Sequence, residues 1–89
     1  MDKIISLEFF YRSRMHYALV RAKPHEGGQM LSITVMNGDL ERLLYGHHVI
    51  LEKDGILFSA TEPTNKEIAE LKQCIMSALS RFMEADVFD

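Results

Sequence analysis

Ile5, Leu7, Phe9 and Tyr11 occupy every second position near the N-terminus, with Ser6, Glu8 and Phe10 between them. A period of two places alternate side chains on opposite faces of a strand, so residues 3–11 are predicted to be extended. Residues 15–23 follow the same pattern, with Tyr17 and Leu19 opposing Ala18 and Val20. In 29–36, Leu31, Ile33 and Val35 alternate with Ser32 and Thr34. Met30 and Met36 then fall on the face opposite Leu31, where an adaptable thioether suits a contact surface or a second small core. Two further β-rich runs, 47–52 and 56–61, flank Asp54-Gly55, a dipeptide that favours a tight hairpin turn. Other turn signals lie at Arg12-Ser13-Arg14, at His25-Glu26-Gly27-Gly28 and at Asn37-Gly38-Asp39.

Two segments change period from two to about 3.6. Residues 39–45 place Leu40, Leu43 and Leu44 on one side; Asp39 can cap the first free amides and Gly46 suits a left-handed C-terminal position. The second segment is longer. Ile68, Leu71, Ile75, Ala78, Leu79 and Phe82 recur at three- and four-residue spacing, the stripe of a helix with one buried side. Thr64-Asn65-Lys66-Glu67 has the spacing of a capping box at its start, and Lys66, Glu70, Gln73, Ser77 and Arg81 fall off the stripe.

The predicted order is β-β-β-α-β-β-α. Tight turns between neighbouring strands require antiparallel pairing, because parallel neighbours need long crossovers. The long helix must bury its stripe against a sheet face. The expected fold is therefore a two-layer α+β domain spanning residues 1–89. It combines an antiparallel meander of about five strands, a short inserted helix and a long C-terminal helix packed on one face. Five strands make a sheet roughly 24 Å wide, whereas a helix with its side chains is about 10–12 Å across. One rod cannot keep water from all of that surface unless the short helix or curling of the sheet closes the gap. Strands one and two are moreover apolar on both sides, through Ile4 and Phe10 as well as Leu7 and Phe9.

Composition refines this picture only slightly. In 89 residues, 47% are hydrophobic and 26% charged, with 5 Gly and 2 Pro, which excludes a disordered or collagen-like chain. The single cysteine, Cys74, rules out an internal disulfide and suits a reducing compartment, so a cytoplasmic location is expected. Neither a leader's apolar run nor a bilayer-spanning stretch is visible, so no membrane association is expected. Net charge is −3, yet residues 9–25 carry Arg12, Arg14, Arg21 and Lys23 and no acid.

No residue set converges on catalysis. His47 and His48 are adjacent at a strand start, so their rings should diverge, and no Cys or carboxylate stands at a zinc-binding spacing to them. A metal site joining His16 to one of the pair would need assembly in space. Cys74 lies beside the helical stripe, without the electropositive surroundings that make a thiol reactive. Gly27-Gly28 lacks the Lys-Ser/Thr of a phosphate loop and precedes a strand. The serines form no nucleophile elbow. Neither an enzyme activity nor a cofactor is therefore expected. The leading expectation is a small non-catalytic protein-interaction module, a homodimer formed through the N-terminal hairpin, with Phe10, Tyr11, Arg12, Arg14, Tyr17, Leu19 and Arg21 as its surface. The alternative is a weak single-stranded nucleic-acid binder using the interleaved aromatics and cations of 9–23. The acidity of the remaining chain weighs against that alternative.

Overall fold

The structure is a computed structural model that describes residues 3–84, with side-chain surroundings described through residue 83. It contains β1 (Lys3–Tyr11), β2 (Arg14–His25), β3 (Gly28–Val35), α1 (Gly38–Leu43), β4 (Val49–Lys53), β5 (Ile56–Ser59) and α2 (Lys66–Glu84). The five strands form one antiparallel sheet in chain order, β1-β2-β3-β4-β5, with tight turns joining β1 to β2, β2 to β3 and β4 to β5, and with α1 in the connection from β3 to β4. The α+β architecture expected from the periodicity is thus the one observed.

Three hairpin turns share one backbone device. Arg12 and Ser13 (φ 51° and 65°), Glu26 and Gly27 (φ 44° and 85°), and Asp54 and Gly55 (φ 54° and 83°) each place two residues at positive φ. Two-residue loops of this kind match the right-handed twist of the strands they join. Gly46, at φ 83°, occupies the left-handed conformation expected just beyond the short helix. Gly28 serves another purpose. It already belongs to β3, and a Cβ there would collide with the Glu52 carbonyl of β4, so this glycine permits a close approach of two backbones.

Helix caps and element ends depart from expectation by small steps. Asn37, not Asp39, caps α1, its Oδ1 accepting from the Asp39 and Leu40 amides at 3.1 Å each. Asn65, not Thr64, caps α2, with Oδ1 accepting from the Ile68 amide at 2.9 Å. In both cases the short amide side chain just before the helix accepts from free N–H groups of the first turn. Strand β4 begins at Val49 rather than 47, β5 ends at Ser59 rather than 61, and β2 runs on to His25.

The core lies between one sheet face and the helices. Leu7, Phe9, Tyr11, Ala18, Val20, Ala22, Leu31, Ile33, Val35 and Ile50 from the strands meet Leu44, Leu71, Ile75, Ala78 and Leu79. Ile68 is buried as well, and Phe82 packs half-buried against the cluster. Helix α2 packs on both β1 and β5, the two opposite edge strands, and so reaches across the width of the sheet. Phe9 is consequently only 1% exposed. No helix among the described residues is long and apolar enough to cross a membrane.

Candidate interaction surface

The other sheet face carries no element among the described residues. Strand pairing arranges it in cross-strand rows. Ile4 lies beside Arg21, which lies beside Ser32 and then Val49. Ser6, Leu19 and Thr34 form the next row. Glu8 neighbours Tyr17, whose carbonyl accepts the Met36 amide at 2.8 Å. Phe10 neighbours Met15 near the first turn. On the other side, Lys23, Met30, Leu51 and Phe58 make a fourth row.

The hairpin half of this open face is apolar and wet. Ile4 is 64% exposed, Phe10 59%, Tyr17 52%, and Met15 and Leu19 42% each. Single exposed apolar residues are ordinary. Five large ones on adjacent strands of one hairpin face form an apolar patch of the kind that marks interaction surfaces. Met36 continues it beside Tyr17 and is likewise exposed.

The seven residues singled out from the sequence divide between two faces. Phe10, Tyr17, Leu19 and Arg21 share the open face, as alternation requires. Tyr11 does not join them. It lies on the core side, buried at 5% exposure, and its hydroxyl has no hydrogen-bond partner among the described residues. Burial raises its phenol pKa. Arg12 sits at the first turn, stacked 5.1 Å from the Tyr11 ring centre. Its guanidinium reaches toward α2, 3.3 Å from Glu70 and 3.9 Å from Glu67. Arg14 is exposed opposite Tyr11 in the closing pair, in phase with the core-facing residues of β2. Residues 11, 12 and 14 are thus drawn to the helix side of the hairpin.

The remaining chemistry-bearing residues have structural surroundings. His47 is buried, with Nδ1 2.8 Å from Thr61 Oγ1, and His48 turns to Glu41, with Nε2 2.7 Å from Oε2. That second contact falls outside hydrogen-bonding geometry. The other Glu41 oxygen accepts the Val35 amide at 2.8 Å, tying α1 to the end of β3. His16 is half-buried, 5.6 Å from the Phe9 ring centre. The described residues contain no cluster of three or more His, Cys, Asp or Glu able to hold a metal ion. Cys74 is half-buried, and burial, aided by Glu70, raises its thiol pKa.

Lys72 escaped the sequence reading. It is 2% exposed; Nζ donates to Ser59 Oγ and lies 3.5 Å from the Val49 carbonyl. Burial lowers its pKa. The signal was present, since position 72 lies four beyond Ile68 and three before Ile75, inside the apolar stripe.

No protein-family model matches the chain, and neither a curated protein nor a solved structure resembles it significantly. The open sheet face and its residues are therefore the basis on which function is read.

Proposed function

We propose that this chain is a small non-catalytic interaction module that pairs with a second copy of itself through the N-terminal hairpin. The observation that supports this reading is the exposure of Ile4, Phe10, Met15, Tyr17 and Leu19 together on one side of β1 and β2. A two-fold axis through such a patch brings the apolar side chains of one copy against those of the other, so that one surface serves both partners. The single cysteine suits a reducing compartment, and we place the module in the cytoplasm on that ground.

Sedimentation equilibrium at micromolar concentration tests the pairing. A dimer is expected for the wild-type chain. Tyr17→Glu and Leu19→Glu should each weaken it at least tenfold, because burying an unpaired carboxylate opposes association. A clean monomer for the wild-type chain at these concentrations would overturn the reading. Binding of single-stranded nucleic acid draws less support from the same geometry. Phe9 and Tyr11 are buried and Arg12 is held beside two carboxylates, which removes much of the stacking and cationic surface of 9–23.

A further inference from the structure

The lower half of the open face differs from the hairpin half in both shape and charge. Ser32 and Thr34 are short, and they lie on β3 beside the longer Arg21 and Leu19 of β2. The height difference leaves a depression of about 330 Å³ whose floor carries the two hydroxyls. Ile4, Leu19 and Met30 supply its apolar walls, and Arg21 and Lys23 its cations.

Charge on this face is opposite to that of the molecule. Among the described residues, strand alternation places Arg21, Lys23 and Lys53 on it with a single acid, Glu8, whereas the whole chain carries −3. Among the described residues, neither Arg21 nor Lys23 has a carboxylate partner, although Arg12 and Arg42 both do. Two cations left unpaired on an acidic protein, beside apolar walls and a hydroxyl floor, complement a ligand that is both apolar and anionic.

We infer that this depression docks an acidic, apolar peptide segment of another protein, with its carboxylates on Arg21 and Lys23 and an apolar side chain between Ile4, Leu19 and Met30. A second copy of this chain is the poorer occupant. Setting the cationic half against itself would oppose like charges across a drying interface, and like-charge juxtaposition costs affinity. Ile4 and Leu19 border both regions, Phe10, Met15 and Tyr17 belong to the self-pairing end alone, and Arg21, Lys23 and Ser32 belong to the docking end alone. The inference shares the open face with the proposed function but does not require the dimer.

Fluorescence anisotropy on the full chain provides the test. The probe is a labelled octapeptide alternating leucine with glutamate, compared with versions carrying glutamine or lysine in place of glutamate. The acidic peptide should bind at least tenfold more tightly than either, and its affinity should fall as salt rises. Arg21→Glu with Lys23→Glu should abolish that preference, and Ser32→Phe, which fills the depression without altering charge, should weaken binding at least tenfold. All these positions face solvent or lie half-exposed, so thermal melts should remain near wild type. Equal binding of the acidic and glutamine peptides, or undiminished binding by the Ser32→Phe variant, would overturn the inference. Tighter binding of a single-stranded oligonucleotide than of the acidic peptide would also overturn it. A chain that is monomeric in the centrifuge yet selects the acidic peptide would retain this inference and end the self-pairing alone.

Discussion

Lys72 is the residue whose environment most contradicts its chemistry. An ammonium at 2% exposure, hydrogen-bonded to a hydroxyl and near a carbonyl, has lost most of its hydration without gaining a carboxylate among the described ion pairs. Burial therefore depresses its pKa below the ordinary value of 10.5. The folded state then binds fewer protons than the unfolded chain at pH values between the depressed pKa and 10.5. In that interval stability rises with pH, and the contribution of this group is lost as pH falls through the folded pKa. Tyr11 and Cys74 act in the opposite sense at alkaline pH, because both are held above their ordinary values when folded. The difference between wild type and Lys72→Met isolates the lysine. Denaturant melts should show Lys72→Met more stable than wild type by about 1 kcal/mol near neutrality, with the advantage shrinking toward pH 10. A constant difference across that range would show that the amine does not titrate with folding. Ser59 remains satisfied in the variant, since its hydroxyl also donates to the Thr61 carbonyl.

At the scale of elements, the turns and caps are the places where backbone conformation is most specified. Arg12 and Ser13 adopt positive φ without being glycine, a conformation that costs an L-residue about 1 kcal/mol. Ser13→Gly should therefore stabilise the hairpin by up to about 1 kcal/mol, less the entropy a glycine loses on folding. Gly28→Ala should do the reverse and cost more than about 2 kcal/mol, because β4 must withdraw to admit the methyl group. Thermal melts of the two variants check both signs. Asn65→Ala should lower stability by about 1 kcal/mol through loss of the α2 cap. Thr64→Ala should be nearly neutral by the same measurement, which separates the observed cap from the one the capping-box spacing predicts. That spacing could not decide between Thr64 and Asn65, because either can present an oxygen to the first turn. The geometry of the chain entering α2 made the choice.

For the molecule as a whole, the distribution of apolar surface matters more than its amount. Helix α2 covers one face of the sheet, while the opposite face retains large exposed side chains and a cationic depression. The hairpin half and the Arg21–Lys23 half should therefore respond to separate variants. Tyr17→Glu should disperse the dimer while leaving the preference for an acidic peptide, and charge reversal at Arg21 and Lys23 should do the opposite. Sedimentation and anisotropy on the same preparations would reveal whether the two halves are independent.

Most of the fold could be read from residue order. The alternation in β1 to β3 separated Leu7, Phe9, Val20 and Ile33 from Phe10, Tyr17 and Leu19, because a pleated strand gives each face every second residue. The stripe from Ile68 to Phe82 marked α2 for a similar reason. The candidate surface was legible only in part. Phe10, Tyr17, Leu19 and Arg21 share the open face, but Tyr11 obeys the same alternation from the buried side, and Arg12 is drawn to Glu67 and Glu70 on α2. Those carboxylates are more than fifty positions away along the chain, so local pattern could not place them beside the first turn. Likewise, the hydroxyl and carbonyl that meet the buried Lys72 and the shallow floor at Ser32 and Thr34 depend on which side chains meet across strands and layers. Periodicity reports the direction in which a residue points within its own element. Only the packed structure determines what it meets there.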